Sequence, residues 1–252
     1  MKPLRIASYN IHKGLSFFNR RLVLHDLRER LLSLNADILF LQEVQGYHAR
    51  RAGRFEQWPR ESQHSFLAGD IWREVAYGMN SVSDHGHHGN AILSRYPINK
   101  WENVDISTHP FESRGLLHSE IDVPGLPQPL HAICLHLALH ESGRRKQIRQ
   151  LSERIRRMVP DAAPLIIAGD FNDWRQRTGD YLATELGLDE VFEVAHGQPA
   201  RSFPAALPIF TLDRIYVRGF TVASAHVLSG QHWRKLSDHA ALTAQLRPLV
   251  EA

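Results

Sequence analysis

The chain has 252 residues, of which 43% are hydrophobic, and it carries a formal net charge of +3. This composition excludes an intrinsically disordered protein, and no apolar run approaches the roughly 20 residues that a membrane-spanning helix needs. The mild basic excess suits an anionic substrate, although many proteins of other function share it.

The N-terminus and the single cysteine bear on the compartment of the protein. Residues 1–5 run directly into a strand-like segment and lack the charged and apolar regions of a secretory signal. Cys134 stands in an apolar stretch, which predicts a buried thiol without an internal disulfide. These features predict a cytoplasmic protein. Because no repeat or linker interrupts the chain, residues 1–252 are expected to form a single domain.

Apolar segments bounded by polar residues predict β-strands along the whole chain. They are Leu4–Tyr9, Ile38–Gln42, Asn90–Ser94, Leu116–Asp122, Leu130–Leu137, Leu165–Ala168, Arg214–Val217, Thr221–Leu228 and Ala240–Leu246. Apolar residues at helical spacing predict helices over Arg21–Ser33, Glu141–Met158 and Gly179–Leu186. Many strands with few helices favour an α/β protein in which two sheets pack together with helices outside.

Polar side chains stand at the ends of these predicted strands. The most informative motifs are Gly169-Asp170-Phe171-Asn172 and Ser237-Asp238-His239. Carboxylate, amide and imidazole groups held by a rigid sheet can bind a metal, activate water and stabilise charge. These motifs therefore predict metal-assisted hydrolysis. Further motifs of this kind are Asn10-Ile11-His12-Lys13-Gly14, Gln42-Glu43, His88-Gly89-Asn90, Ser113-Arg114, Leu135-His136-Leu137 and Asp213-Arg214.

In this order, the motifs resemble those of the endonuclease/exonuclease/phosphatase superfamily over nearly the whole chain. Any one motif is weak, but the ordered set is specific. The sequences of residues 10–14 and 87–91 are similar to those of an uncharacterised bacterial branch, the YbhP-like proteins. The resemblance implies a deoxyribonuclease I-like fold, a four-layer sandwich of two packed, mainly antiparallel β-sheets flanked by helices. It also implies Mg²⁺, which Mn²⁺ could replace, and direct attack of water on a phosphoester.

The resemblance further implies a set of residues that hold the metal. Glu43 resembles the ligating glutamate, with Asn10 and Asp238 close to the ion. Mg²⁺ prefers such hard oxygen ligands and often takes only one or two carboxylates together with water. His12 stands where repair nucleases carry a metal-associated aspartate, which weakens any transfer of abasic-site repair activity, and its own role is left open.

The resemblance also implies the catalytic roles. Asp170 would orient or deprotonate the attacking water, and Asn172 would hold the phosphate and nucleophile in place. His239, oriented by Asp213, would donate a hydrogen bond to the phosphoryl oxygens, and His136 would act at the leaving oxygen. The same residues also have purely structural alternatives. For Asp213 the alternative is an ion pair with its neighbour Arg214, and for His136 it is a hydrogen-bonded histidine in the core.

Substrate-binding roles are predicted for Arg114, Asn90 and His88. A planar guanidinium at Arg114 can bind two phosphate oxygens. The surrounding loop, residues 85–88, is rich in histidine and is either solvated or in contact with an anionic substrate. The segment Gln45–Gln63 interleaves arginines with aromatic residues, a composition that suits nucleic acid, a phospholipid headgroup or a solvated loop.

These residues predict a divalent-metal-dependent phosphodiesterase or nuclease, because His136 is shared with the diester-cleaving branches of the superfamily. The alternatives are a sphingomyelinase- or phospholipase C-like lipid phosphodiesterase, a phosphatase acting on a small phosphorylated molecule, and a non-catalytic binding protein. The sequence does not distinguish these substrates, the number of metal ions or the oligomeric state.

Overall fold

The computed structural model describes residues 2–175 and 179–249. The strands of this part of the chain are β1 Leu4–Asn10, β2 Ile38–His48, β3 Glu74–Ser83, β4 Gly86–Ser94, β5 Ile98–Asp105, β6 Gly115–Ile121, β7 Leu130–His136, β8 Leu165–Asp170, β9 Asp189–Glu190, β10 Asp213–Arg218, β11 Phe220–Leu228 and β12 Ala241–Pro248. Its α-helices are α1 Leu24–Ser33, α2 Ala49–Arg54, α3 Gln63–Ala68, α4 Glu141–Met158, α5 Gly179–Leu186 and α6 Val191–His196.

The strands form two six-stranded sheets that repeat one arrangement. The first sheet has the order β11-β12-β1-β2-β4-β3, and the second has the order β5-β6-β7-β8-β10-β9. In each sheet the central pair is parallel, β1 with β2 and β7 with β8, and the other pairs are antiparallel. The expected mainly antiparallel arrangement of two sheets is therefore confirmed.

Three apolar cores hold four layers together. The outer face of the first sheet is covered by α1 through Leu27 and by α3 through Leu67. The outer face of the second sheet is covered by α4 through Leu151 and by α5 through Leu182. The core between the sheets includes Ile6, Phe40, Ile92, Cys134, Ile166 and Leu242. Cys134 is the buried free thiol that the sequence predicts, and burial raises its pKa to about 12.

Several elements differ from the sequence-based expectation. Strands β3 and β5 were not predicted, because each is an edge strand with mostly exposed or half-buried residues and has no continuous apolar run. Helices α2, α3 and α6 have six residues each, too few to show a helical period. Helix α1 begins at Leu24 and not at Arg21, since Leu22 forms an antiparallel bridge with Leu15.

Within the described residues, no helix combines the length and the apolar character that a membrane crossing requires.

Candidate active site

The predicted site residues converge where the two central parallel pairs end. In the first sheet Asn10 pairs with Gln42 at the point where the parallel pairing of β1 with β2 ends. In the second sheet His136 pairs with Asp170 at the carboxyl ends of β7 and β8. Residues at the carboxyl ends of parallel strands share one edge of the sheet, which is where open α/β folds place their ligands. The packing of the sheets brings the two edges together.

Asp170 lies at the centre of this convergence. Its Oδ2 accepts a hydrogen bond from Asn10 Nδ2 at 3.1 Å, and its Oδ1 accepts one from the backbone N–H of Asn172 at 2.9 Å. The Nε2 atom of His136 is 3.4 Å from Oδ2. Burial, together with the charge of Asp213, raises the pKa of Asp170 to about 7, although His239 opposes the shift. A carboxylate of this kind exchanges protons readily near neutral pH.

His239 is held between two carboxylates. Its Nδ1 is 2.8 Å from Asp213 Oδ2, and its Nε2 is 3.7 Å from Asp170 Oδ2. The hydroxyl of Ser202 donates a second hydrogen bond to the same Asp213 oxygen. Burial works against the charged ring, but Asp213 and Asp170 outweigh it and raise the pKa of His239 to about 10. The ring is therefore an imidazolium at neutral pH. The rival ion pair with Arg214 is absent, since that guanidinium faces Glu193.

Ser237 fixes the Ser237-Asp238-His239 motif to the first sheet. Its hydroxyl donates to the backbone carbonyl of Asn10 at 2.6 Å and accepts the backbone N–H of His239 at 3.2 Å. The serine therefore orients the imidazolium relative to β1, a role that its position in the motif did not reveal.

His136 is the second imidazole of the site. Burial and the nearby positive charge of Arg114 hold its pKa well below the usual range, so that the ring is neutral. It lies in the cleft beside Asp170 rather than enclosed in the core. A neutral imidazole can donate from one nitrogen while it accepts at the other.

Glu43 faces the site from a distortion in β2. The pairing of β2 with β4 shifts register between Leu41 and Val44, and Glu43 adopts a φ of 56°. Strand β2 continues past its predicted end at Gln42 to His48. The bulge within it turns the side chain of Glu43 toward the cleft. Burial would raise the pKa of Glu43, but Lys13, whose Nζ is 3.0 Å away, and two nearby histidines lower it to about 2. Glu43 is therefore ionised.

Asp238 and Asn10 lie near Glu43 and engage His12. The Nδ1 atom of His12 is 3.2 Å from Asp238 Oδ1, and its backbone N–H donates to Asn10 Oδ1 at 3.1 Å. Burial would raise the pKa of Asp238, but the hydrogen bond from His12 and the His239 charge hold it below the usual range. Two ionised carboxylates and an amide oxygen are the hard donors that fit Mg²⁺ or Mn²⁺.

A second group of metal-binding residue types includes Asp170, Asp213 and His239, whose donor atoms lie within 4.8 Å of one another. Both nitrogens of a protonated imidazole carry hydrogen, so His239 in this state has no lone pair for a metal. The group is better described as an imidazolium between carboxylates, and Glu43, Asn10 and Asp238 are the better cation donors.

Five polar residues, Glu43, His136, Asp170, Asn172 and His239, form the floor of a cleft of about 300 Å³. Arg114 lines it and pairs with Glu112 at 2.9 Å. The walls contain several apolar side chains that sequence reasoning missed, namely Leu139, Trp174, Phe203, Phe210 and Leu212. For Phe203, Phe210 and Leu212, the one sequence signal is the uncharged run from 203 to 212, and Leu139 and Trp174 lie outside it.

Asn90 and His88 lie in β4, outside the lining of the cleft. The Nδ2 atom of Asn90 donates to Gly115 O at 3.0 Å and to Cys134 O at 3.4 Å, so it links the first sheet to the second. Burial, with a smaller effect of the Lys13 charge, lowers the pKa of His88 to about 4. Neither residue is among those that line the cleft. Their predicted contact with substrate stays a prediction.

Sequence and structural relatives identify the family of this site. The profile of the Endonuclease/Exonuclease/phosphatase family matches residues 7–239. The chain belongs to the endonuclease/exonuclease/phosphatase family. Its relatives include the uncharacterized protein YbhP of Escherichia coli strain K12, which is 45% identical over 242 residues, or 96% of this chain and 95% of YbhP.

Two solved structures show the fold of the endonuclease/exonuclease/phosphatase family in full. The family protein of Beutenbergia cavernae superposes with a TM-score of 0.77 at 20% identity, covering 98% of this chain and 72% of that one. The human Nocturnin catalytic domain with bound sulfate superposes with a TM-score of 0.74 at 18% identity, covering 98% and 94%. These likenesses confirm the expected deoxyribonuclease I-like sandwich.

All eleven predicted site residues fall inside the endonuclease/exonuclease/phosphatase match, which ends at His239. Membership of this family indicates a phosphoester hydrolase. In the structure, six of the eleven line one cleft, namely Glu43, Arg114, His136, Asp170, Asn172 and His239. Asn10 and Asp213 bond directly to members of this group, and Asp238 is joined to Asn10 through His12. Asn90 and His88 do not line the cleft.

Proposed function

We propose that the protein is a divalent-metal-dependent phosphodiesterase that uses water as its nucleophile. The observation that carries this proposal is the position of Asp170, a buried carboxylate with a pKa near neutrality that touches Asn10 and His136 and faces the His239 imidazolium across 3.7 Å. A general base of this kind is most effective when its pKa lies close to the working pH.

Glu43 would hold the cation, with Asn10 and Asp238 beside it, because their oxygens are ionised or otherwise hard donors. When bound, Mg²⁺ or Mn²⁺ would polarise the phosphoryl group and offset its negative charge. Lys13, which faces Glu43 at 3.0 Å, keeps this carboxylate deprotonated and ready to bind.

Asp170 takes one proton from the water that attacks phosphorus. Asn172 supports this carboxylate through its backbone N–H, and its own side chain is fixed by a hydrogen bond to Leu137 O at 2.9 Å. The new P–O bond forms as the ester P–O bond to the leaving alcohol breaks. The products are a phosphomonoester and an alcohol, whose oxygen takes a proton from solvent.

The two histidines stabilise the charge that develops in this step. The Nε2–H of His239 donates to a phosphoryl oxygen, while Asp213 keeps the ring charged and oriented. The neutral ring of His136 acts as a hydrogen-bond donor toward the leaving oxygen, and Arg114 lies at the wall where a phosphate would enter. The sulfate in the Nocturnin structure, a tetrahedral oxyanion, is consistent with such a phosphate site.

We propose a cytoplasmic location for this activity, and the buried free thiol of Cys134 fits the reducing conditions there. The test is hydrolysis of diesters and monoesters, including DNA, RNA, phospholipid and bis(p-nitrophenyl) phosphate, with and without Mg²⁺ or Mn²⁺. Asp170→Asn should lower metal-dependent turnover by about 10²- to 10⁴-fold, the usual contribution of a general base. Asp122→Asn, which neutralises an exposed carboxylate outside the cleft, is the matched control. Equal rates in the two variants would show that Asp170 is not the base.

A further inference from the structure

Exposed apolar side chains lie on the loops that border the cleft. Six of them form what we call the apolar collar, with side chains between 38% and 93% exposed: Phe111, Leu139, Trp174, Leu207, Ile209 and Phe210. Leu139, Trp174 and Phe210 also line the cleft that contains Asp170 and His239. The collar is therefore continuous with the candidate active site.

The segment 203–212 supplies half of the collar. Its ten residues, Phe-Pro-Ala-Ala-Leu-Pro-Ile-Phe-Thr-Leu, contain no charged side chain. Backbone hydrogen bonds between Phe203 and Phe210 close the loop, and Ala205 N–H donates to Asp238 O at 2.7 Å. The loop is thus fixed to the catalytic motif while Leu207 and Ile209 point outward. A contiguous exposed apolar patch on an ordered loop marks a binding surface.

The opposite side of the collar is tied to the cationic wall of the cleft. Phe111 is 93% exposed at the tip of the loop between β5 and β6. Glu112 in this loop accepts the backbone N–H of Leu139 at 3.1 Å and pairs with Arg114. Trp174 and Phe210 meet edge to face with ring centroids 6.2 Å apart on the other side. Apolar side chains and Arg114 therefore line the same cleft, and Glu112 connects Arg114 to Leu139.

This juxtaposition suits an amphiphile better than a nucleic acid. Single-stranded nucleic acid is bound by aromatic rings together with rows of cations that follow the phosphates. Leu139, Leu207 and Ile209 have no π face on which a base could stack, and the loop 203–212 offers no cation. A lipid presents an anionic headgroup next to hydrocarbon, which matches Arg114 and the polar floor below the collar.

Building on the proposed phosphodiesterase, we propose that its substrate is a membrane phospholipid. The collar inserts into the surface of the bilayer, and the phosphodiester of a headgroup reaches the floor at Asp170 and His239. The net charge of +3 favours an anionic surface.

The test is cosedimentation of the protein with large vesicles of phosphatidylglycerol and phosphatidylethanolamine, and with vesicles of phosphatidylcholine alone. Wild type should bind the anionic vesicles at least tenfold better than neutral ones. The double variant Leu207→Asp/Ile209→Asp should lose at least tenfold of this binding, because charged groups do not enter the apolar layer. The matched control is Leu32→Asp/Val194→Asp, which changes exposed apolar residues on α1 and α6 outside the cleft and should bind as wild type.

Hydrolysis separates this proposal from the proposed function. Turnover of vesicle phospholipid should fall at least tenfold more in the Leu207/Ile209 variant than turnover of soluble bis(p-nitrophenyl) phosphate. Vesicle binding that depends on the collar, with no hydrolysis of any ester, would support membrane binding by the collar and overturn the proposed phosphodiesterase activity. Hydrolysis that depends on Asp170, without vesicle binding, would support the phosphodiesterase activity and overturn the proposed membrane substrate.

Two further results would overturn the lipid proposal in favour of another occupant. One is collar-dependent binding of a single-stranded oligonucleotide without binding to vesicles. The other is a dimer in sedimentation velocity that the Leu207/Ile209 variant converts to a monomer.

Discussion

Single contacts decide what each ionisable group can do at neutral pH. Asp170 and Asp213 are both buried carboxylates, yet only Asp213 has a hydroxyl and an imidazole nitrogen on the same oxygen. Asp213 therefore serves to keep His239 charged, while Asp170 is left with a pKa near neutrality and can accept a proton. These contacts support the proposed roles of Asp170 as base and of Asp213 as the carboxylate that orients His239.

Asp213→Asn tests this division. In the metal-free protein, loss of the carboxylate charge should lower the pKa of His239 from about 10 toward its ordinary value, since Asp213 raises it most. We expect turnover to fall about 100-fold or more, as the ring loses both charge and orientation. The measurement is an NMR titration of the imidazole nitrogens. The prediction fails if His239 titrates at the same pH in the variant and the wild type.

Among the elements, α4 is joined to the second sheet by a buried polar cluster. Arg154 of α4 pairs with Glu102 of β5 at 2.7 Å and approaches His118 of β6 at 3.3 Å. His118 in turn contacts His131 of β7 at 2.9 Å. Burial, with the charges of His131 and Arg154, lowers the pKa of His118 to about 3. The ring is therefore neutral in the folded protein and charged in the unfolded chain at acidic pH.

This cluster predicts a loss of stability in acid. Between the ordinary pKa of 6.5 and the folded value of about 3, the unfolded chain binds a proton at His118 that the folded protein does not. The contribution of neutral His118 to the free energy of unfolding is complete above pH 6.5. Below this value it falls by about 1.4 kcal/mol for each pH unit. Urea unfolding between pH 5 and 7 measures this slope. His118→Phe should have a shallower slope, and an unchanged slope would assign the acid sensitivity to other groups.

The elements also show what a sequence can and cannot reveal. The central strands were predicted because both faces are buried and their apolar runs are continuous, and their polar ends located Asp170, His136 and Asn10. The bulge at Glu43, the His12–Asp238 contact and the Lys13–Glu43 pair depend on how distant segments pack. The collar was missed because exposed apolar residues in a loop have no periodicity, and only the lack of charge in 203–212 marks it.

On the scale of the whole molecule, the active site depends on the alignment of two sheets that share no strand pairing. Asn10 bonds to Asp170, Asn90 bonds to Gly115 and Cys134, and Gln42 bonds to Cys134 Sγ, so buried amides join the sheets. The proposed metal ligands belong to the first sheet and the proposed base, Asp170, to the second. Their relative position is set by the core and these bonds.

Asn90→Ala should therefore disturb the position of the two sheets relative to each other. We expect a loss of about 1–3 kcal/mol in the free energy of unfolding, because two buried carbonyls lose a donor. A small displacement of the sheets should lower kcat about tenfold or more while KM changes little. Urea unfolding and steady-state kinetics measure both. A large rise in KM with normal stability would instead support the contact with substrate that the sequence predicts for Asn90.

The central position of each parallel pair has a consequence for the motions of the enzyme. Strands β1, β2, β7 and β8 each have two further strands on their outer side, so their amide hydrogens can exchange with solvent only when the whole domain opens. The loop 107–114 should exchange much faster. Amide hydrogen exchange in deuterium oxide measures this difference between the central strands and the loop. Slow exchange of the strands would mean that Asn10, His136 and Asp170 stay in place during turnover. Any opening and closing around the substrate then belongs to the loops at the mouth.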